Sequence, residues 1–549
     1  MAGNNAKRPQ SSGTDSLNPY NYQLEVLTIV NNEGITMDVR NMMGECRIYE
    51  SILNNFLMGE LAIIDALEPS LFEQMHFTGQ ESLRIKFSHG EENSGNKSID
   101  KLFRIYKVSD VQRHNQGQLQ YMLSFCSPEF LTSRRFRISK AYRGSHAGVA
   151  AKIGDEYLNI TSPKSGNISR YSTKGLEGHK HEPYWEHIAL NSLDEDYQFV
   201  IPNWTVNYTM NWLCNEALED TTNIAPRKHS SFDSLTFWYQ SAQGDYKIES
   251  LKDMLETEFL HGAKFIYSPV SENETVDFKL EDGDKTKTVK VSGQKIINYQ
   301  EGQHADFLEG IVYGIFAGEQ TTVDLRNKMY YESQWSYFDS PQQGEETTGS
   351  YPMIRDTKEV KWVGNAIDLP GEGTDDKIHP VAAEPFKPMR PAKHPTEIPA
   401  SEFHQAYSIL ENQTPKIFED NTKYNSEGLE GIPKAVIIKQ AALKLLEYNT
   451  ITAQISARTD ISAGKIIDLS IPATDTGLGA VRGIDREDNF NSGKHLITEV
   501  MWSLMPTELK TNITCMRDTC ITKIEKYYGD FLVAEMAKNS TVTEDDNTT

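Results

Sequence analysis

Apolar and polar residues alternate in two blocks far apart along the chain, and this pattern constrains the fold more than any other feature. The first block starts at Tyr20 and includes the segments YQLEVLTIV, GITMDV, MGELAIID, FTGQESLRIKF and GQLQYMLSFCS. The second follows residue 450 and includes ITAQISARTD, GKIIDLSIPA, GKHLITEVMWSLM and LKTNITCMRD. A period of two between Gly, Asn and Pro signals is typical of β-strands with one buried face. Each block is therefore expected to form a small barrel or sandwich.

Local signals add detail to the first block. The Asn-Asn-Glu-Gly stretch that ends at Gly34 joins two alternating segments and predicts a β-hairpin in which this glycine takes a positive φ. The segment RIYESILNNF, from Arg47 to Phe56, is interpreted as a short helix.

The period changes in the middle of the chain. Ser145 is placed to cap a helix through Val149 and Ile153. Thr205 is placed to cap a second helix that runs to Glu219, with Trp212, Leu213 and Leu218 on its apolar side. The aromatic segment LTFWYQ then turns through Gln-Gly-Asp into DYKIES, which predicts a hairpin followed by another helix. This part is expected to be mixed α and β.

Composition shifts complete the domain prediction, which is α+β and β-rich, with two β-barrel domains flanking a mixed middle domain. Residues 341–449 are crowded with Pro, Gly and acidic residues until a helix that starts at Pro433, so they are expected to form an extended insertion. The predicted order is a flexible arm (1–19), the first barrel (20–140), the middle domain (141–295), the second barrel (296–340 and 450–527, with a helix near Leu308), the insertion (341–449) and an acidic tail (528–549).

The charge excludes some partners. The net charge is −23, which disfavours direct binding to DNA phosphates, since such binding draws on clustered Lys and Arg. Acidity either repels DNA or only confers solubility, and charge alone does not separate the two. No apolar run approaches the roughly 20 residues of a membrane span, and the first residues lack the apolar core of a secretory signal. We therefore expect no membrane partner.

One cluster of possible metal ligands stands out. The segment GHKHEPYWEHIAL places His179, His181, Glu182, Glu186 and His187 within nine residues. A zinc protease needs His-Glu-x-x-His on one helix face. Here the second histidine arrives two positions late and Pro183 breaks the helix. The segment is interpreted as a solvated or interfacial loop.

Other candidates favour structural roles as well. The sequence around Asp282, Gly283 and Asp284 lacks the oxygen donors of a calcium loop and predicts a hairpin turn. Ser145 is not in a Gly-x-Ser-x-Gly context. Cys515 and Cys520 form a lone Cys-x4-Cys pair and, like the other three cysteines, are interpreted as structural thiols. We predict no catalytic, cofactor-binding or metal-binding residues, no cofactor and no enzymatic activity.

The order of motifs resembles a known family. IPNWTVNYTMNWL followed by LTFWYQSAQGDYKIESLKDML resembles the middle domain of the baseplate hub proteins of contractile-tailed, T-even-like bacteriophages, the tube-to-spike adaptors. MGELAIID with FTGQESLRIKF resembles the first tube domain of that family. ISARTDISAGKIIDLSIP, SGKHLITEVMWSL and TNITCMRD resemble its second tube domain. The insertion and the acidic tail are larger than the core family needs.

The resemblance implies a structural virion protein of the tail baseplate, assembled in the host cytoplasm. Its implied form is a homotrimer that joins a hexameric tail tube ring to a trimeric central spike, contacts baseplate wedge proteins, and lets genomic DNA pass through its lumen without specific binding. Two tube-like barrels per subunit would present six near-equivalent faces to the ring. Two alternatives stay open: a cell-wall hydrolase at the tail tip, and a spike hub component of a bacterial secretion system.

Overall fold

The computed structural model describes the β-rich blocks and most of the middle of the chain. The described residues are 22–89, 98–115, 117–161, 181, 183–188, 198–217, 235–256, 264–267, 277–282, 285–290, 295–304, 317–324, 329–336, 361–362, 405–409, 443, 447, 449–471, 488, 491–517 and 519–520. The predicted N-terminal arm, the acidic tail, the helix near Leu308 and nearly all of the helix that starts at Pro433 lie outside these residues.

The first block is built from antiparallel strands and one short helix. Its elements are β1 (Gln23–Val30), β2 (Thr36–Asp38), β3 (Met43–Ser51), β4 (Met58–Asp65), α1 (Leu71–Met75), β5 (Ser82–Ser88), β6 (Ile99–Asn115) and β7 (Gln118–Cys126). The predicted hairpin between β1 and β2 is confirmed, and Gly34 has a φ of +91°. This positive φ explains why a glycine ends the turn.

The middle part mixes helices with short strands. Its elements are α2 (Pro128–Arg135), β8 (Arg137–Arg143), α3 (His146–Ile153), β9 (Trp185–Ile188), β10 (Gln198–Thr205), α4 (Val206–Glu216), β11 (Thr236–Gln240), β12 (Tyr246–Ser250) and α5 (Leu251–Glu256). Both predicted caps are confirmed: the Ser145 hydroxyl accepts a hydrogen bond from the Gly148 amide, and the Thr205 hydroxyl accepts one from the Tyr208 amide.

The remaining described strands follow in the second half of the chain. They are β13 (Lys264–Tyr267), β14 (Asp277–Asp282), β15 (Lys285–Lys290), β16 (Lys295–His304), β17 (Ala317–Asp324), β18 (Met329–Ser336), β19 (Lys361–Trp362), β20 (Gln405–Ile409), β21 (Asn449–Ile455), β22 (Ile466–Ser470), β23 (Gly493–Leu504), β24 (Leu509–Arg517) and β25 (Thr519–Cys520). Strands β14 and β15 pair around the turn predicted after Asp282.

One large sheet contains both β-rich blocks. Its strand order is β2-β1-β5-β6-β7-β4-β3-β23-β22-β13-β16-β21-β24, and β24 also pairs with β23. The last six strands therefore close into a ring, a small β-barrel. Strand β23 belongs to both parts, because its first residues pair with β22 and its last, Glu499–Leu504, pair with β3.

Some strands pair outside the domain to which the sequence analysis assigned them. Strand β13, predicted within 141–295, hydrogen-bonds between β22 and β16 in the closed ring. Strands β17 and β18 form a separate three-stranded sheet with β20, which lies in the predicted insertion. The β-rich fold class is confirmed, whereas the arrangement as two barrel domains and the domain boundaries stay predictions.

The segment RIYESILNNF was predicted as a short helix, and this is wrong: its first half is a strand and residues 52–56 form a bent loop. Residues Arg47 to Ser51 form the end of β3, paired with β4 on one side and β23 on the other. Cys46, Ile48 and Glu50 are buried at a period of two. Pairing on both edges satisfies the backbone and overrides the local helical preference.

Among the described residues, two large hydrophobic cores support this architecture. One extends through both β-rich blocks and includes Leu27, Ile48, Phe125, Ile451 and Trp502. The other lies in the middle part, where the helices pack against β8, β10, β11 and β12. Phe56, from the loop between β3 and β4, inserts into this second core, with its ring 5.1 Å from that of Trp238.

Candidate functional site

Both β-rich blocks and the middle part meet at a buried set of polar groups, which we call the polar junction. It comprises Glu50, Asn55, Gln240, Ala242, Gln243, Ser462 and Ala463. These residues come from β3 and the loop after it, from the hairpin β11–β12, and from the loop between β21 and β22. Hydrogen bonds at this point thus join segments that are roughly 200 to 400 positions apart in the sequence.

The Glu50 carboxylate is the centre of the junction. It is 1% exposed, and Oε1 accepts hydrogen bonds from the Ser462 hydroxyl (2.6 Å) and the Ala463 amide (2.8 Å). Oε2 accepts one from the Ala242 amide (2.8 Å). Burial raises the pKa of Glu50, although these three donors act in the opposite direction. A carboxylate suits this position because every neighbour that points at it is a donor.

The hairpin turn between β11 and β12 supplies more contacts to the second block. Gln243 donates from Nε2 to the carbonyl oxygens of Thr459 (2.6 Å) and Ile461 (2.9 Å). The hydroxyls of Ser241 and Ser462 lie 3.0 Å apart. The Gln-Gly-Asp turn that the sequence singles out is therefore a docking loop for the neighbouring β-barrel.

The same hairpin also contacts the first block. Asn55 donates from Nδ2 to the carbonyl oxygen of Trp238 (2.7 Å), and the Leu57 amide donates to Oε1 of Gln240 (3.2 Å). Asn211 of α4 donates to Oδ1 of Asn55 (3.1 Å) and accepts from the Trp238 indole (2.5 Å). Buried amides linked in this way fix one relative placement of the segments that carry them.

A second buried charged group lies beside the junction. His181 Nε2 is 2.6 Å from Oε1 of Glu129, and the Tyr246 hydroxyl donates to Oε2 of the same carboxylate (3.0 Å). Lys101 pairs with Asp245 at 2.8 Å. Burial opposes ionisation of both members of the first pair, but their mutual attraction lowers the pKa of Glu129 and raises the pKa of His181. Both shifts favour the ionic form of the pair.

The predicted histidine cluster does not converge on one point among the residues that are described. His181 contacts Glu129, Glu186 lies 3.7 Å from Lys247, and His187 lies 3.7 Å from Asp253. His179 and Glu182 lie outside the described residues. No three His, Cys, Asp or Glu residues form a metal-ligand group within the described part of the chain.

The other sequence candidates have structural surroundings where they are described. Ser145 is a helix cap, and Asp282 is the last residue of β14, while Gly283 and Asp284 lie outside the described residues. Cys515 is a free, buried thiol whose pKa is raised by burial. Within the described residues, no helix is long and apolar enough to cross a bilayer.

Sequence reasoning predicted the hairpin that carries Gln240, Ala242 and Gln243 but missed the other residues of the junction. Glu50 lies in the segment that was interpreted as a helix. The sequence did contain a signal for a buried acid, because Glu50 continues the period-two series of Cys46 and Ile48, whose side chains are buried. An acid on the buried side of a strand requires donors from elsewhere in the fold. Because Glu50 and Glu129 are both buried, neither carboxylate reaches a substrate in this conformation, and the arrangement is suited to holding segments together.

Comparison with known proteins gives structural likenesses only. No family model matches the chain, and no curated protein matches its sequence. A tail protein from Neisseria meningitidis MC58 is similar over 91% of this chain and 97% of its own length, at 9% identity and a TM-score of 0.42. The 43 kDa tail protein of prophage MuSo2 from Shewanella oneidensis is similar over 90% and 98%, at 7% identity and a TM-score of 0.42.

A third solved structure comes from Escherichia coli and is described as a type VI secretion component with structural similarity to bacteriophage T4 tail proteins. The similarity extends over 91% of this chain and 77% of the Escherichia coli chain, at 8% identity and a TM-score of 0.31. These structures are phage tail and secretion proteins and do not single out tube-to-spike adaptors. At such TM-scores the likeness carries no functional conclusion, which must come from the chain's own residues.

Proposed function

We propose that this chain is a structural baseplate hub of a contractile phage tail. In this role three copies would join the hexameric tail tube ring to the trimeric central spike, contact baseplate wedge proteins and surround the DNA channel. The protein would belong to the virion after assembly in the host cytoplasm. The motif order from Phe199 to Leu255 and in both flanking β-rich blocks supports this proposal.

The observation that carries the proposal is the shared strand β23. It hydrogen-bonds to β22 within the closed ring and to β3 of the first block, so one strand sets the orientation of both blocks. The polar junction adds hydrogen bonds from the middle hairpin to both blocks. A sixfold-like ring built from three chains needs two β-rich modules per chain at a fixed relative angle.

The charge fits a channel that DNA passes without binding. Three copies would carry 3 × (−23) = −69 formal charges. Acidic walls repel the phosphate backbone and disfavour adhesion. We also propose that the hub performs no chemistry, so incubation with purified peptidoglycan should release no muropeptides. Released muropeptides would favour the tail-tip hydrolase instead.

The experiment that tests the hub is a mass and symmetry measurement on the purified chain. Light scattering should give three times 62.2 kDa. Two-dimensional class averages should show six lobes around a central opening. A monomer, or a ring without sixfold features in the averages, would contradict the proposal. If the chain forms a trimer with six lobes but does not bind a tube ring, the trimeric form of the proposal stands and only the tail tube ring is rejected as a partner.

A further inference from the structure

A basic surface interrupts this acidic chain in its middle part. Residues 130–154 contain six Lys and Arg side chains and no Asp or Glu, whereas the whole chain has 55 basic and 78 acidic residues. Five of the six lie between the end of α2 and the end of β8 and are exposed; we call them the basic face: Arg134, Arg135, Arg137, Lys140 and Arg143. Such a local reversal of charge is typical of a binding surface for an anionic partner.

The sheet of β8 and β10 orients part of this face. Ile138 and Tyr142 point into the middle core and are buried, so Arg137, Ser139, Ala141 and Arg143 lie on the opposite, outer side. Arg137 is anchored across the sheet by a hydrogen bond from its guanidinium to the Asn203 carbonyl oxygen (3.3 Å). Lys140 lies on the same side of β8 as Ile138 and Tyr142, forms an ion pair with Glu156 at 2.9 Å, and is not part of the outer side.

An apolar centre lies between the arginines of the outer side. Val200 of β10 is directly opposite Ala141 in the antiparallel register, and Pro202 is opposite Ser139. Val200 is 54% exposed, which is high for a β-branched residue in a strand. Protein interfaces typically have an apolar centre and a charged rim. The centre is desolvated on binding, and the rim orients the partner.

We propose that the basic face and the apolar centre around Val200 bind an extended acidic segment of a partner protein. DNA is a poorer fit, because its phosphate backbone offers nothing to an apolar centre, whereas an acidic peptide segment carries apolar side chains as well as charge. An extended segment fits because β8 pairs with β10 along one edge and with no other described strand, which leaves its second edge as the place for strand addition. The charge pattern defines this surface whether or not the chain forms a hub.

The test measures binding of three labelled probes to the full-length chain by fluorescence anisotropy. Two are peptides of about 16 residues with equal charge, in which Glu alternates with Val or with Ser, and the third is a duplex DNA of similar length. The Glu-Val peptide should bind most tightly at about 150 mM salt, and DNA least. Val200→Asn should reduce the Glu-Val affinity to that of the Glu-Ser peptide.

Charge variants complete the design. Arg135→Glu with Arg137→Glu should weaken both peptides by about tenfold or more, since each reversal turns attraction into repulsion. The matched control, Lys107→Glu with Arg113→Glu on exposed positions of β6, makes the same change in net charge and should have little effect. If the glutamate variant fails to fold, Arg135→Gln with Arg137→Gln serves in its place.

Three results would overturn the proposal. Tighter binding of DNA than of either peptide would identify a nucleic acid surface. If the β6 control weakened peptide binding as much as the Arg135 and Arg137 variant does, the loss of affinity would be explained by net charge alone. A change of oligomeric mass caused by the Arg135 and Arg137 variants, measured by light scattering without any probe, would show that the occupant is a second copy of this chain.

Discussion

Glu50 and Glu129 are both fully buried, yet their surroundings stabilise them in different ways. Glu50 accepts hydrogen bonds from two backbone amides and a hydroxyl, so neutral donors satisfy it. Glu129 has a cationic partner, His181, and a hydroxyl donor. A buried carboxylate without such partners would cost several kcal/mol. All three hydrogen-bond donors of Glu50 are neutral, whereas the second arrangement depends on the protonation of a histidine.

The Glu129–His181 pair should make stability depend on pH with a definite sign. The raised pKa of His181 adds stability that is complete below about pH 6.5 and is lost as the pH rises through the folded pKa. The lowered pKa of Glu129 adds stability above about pH 4.3 that is lost in stronger acid. His181→Gln should therefore lower the urea midpoint more at about pH 5.5 than at about pH 8.5.

A double-mutant cycle isolates this effect from other titrating groups. Lys101 and Asp245 also face His181, and their fields act in opposite directions on its pKa. Buried His495, whose pKa is lowered to about 3 by burial and by Arg517, destabilises the folded state in acid and is present in every variant. In the Glu129→Gln background the pH dependence of His181→Gln should disappear. If His181→Gln lowered the stability of the otherwise wild-type chain by the same amount at every pH, this would argue against an ion pair.

At the scale of the element, Gly59 explains why one strand of the first block contains a glycine. A Cβ at this position in β4 would collide with the Arg47 carbonyl oxygen of β3 and with the Phe125 ring of β7. A backbone atom on one side and a packed ring on the other leave little room for relaxation. The glycine of MGELAIID thus permits the close packing of an aromatic ring across the strand.

Gly59→Ala should therefore destabilise the first block by about 1–3 kcal/mol, as overpacked cores do. Gly44→Ala on β3 is the matched control, because its added Cβ would meet Ile64 at an ordinary distance of 3.4 Å. The control should change stability by less than about 0.5 kcal/mol. Urea unfolding followed by circular dichroism gives both values. Equal effects of the two substitutions would mean that the space around Gly59 is not limiting.

Local signals predicted elements well and tertiary partners poorly. Gly34, Ser145 and Thr205 act through neighbours within four positions in the sequence, so turn and cap chemistry was enough to place them. Strand β3 was misread because its pairing partners β4 and β23 decide its conformation, and β23 lies more than 400 residues away. The donors of Glu50 lie 192 to 413 positions away in the sequence, so sequence could indicate a buried acid but not what surrounds it.

For the whole molecule, the polar junction couples parts that would otherwise behave as separate units. Strand β23 links the blocks through one ladder, but the middle part reaches both through the hairpin β11–β12 and its hydrogen bonds. Segments that share buried polar contacts tend to unfold together, and loss of such contacts separates them. Cooperative unfolding of the β-rich blocks with the middle part is thus expected to depend on Glu50.

Glu50→Gln should uncouple the middle part from the blocks. The amide must place an NH2 group against the Ala242 amide or the Ala463 amide, which leaves a buried donor unsatisfied at a cost of about 1–3 kcal/mol. Calorimetry should show one main transition for the wild type and two for this variant, with the first accompanied by a near-ultraviolet signal from buried Trp238. Glu499→Gln, at an exposed position of β23, should keep a single transition. If both variants unfold as the wild type does, coupling resides in the strand ladder and not in the junction.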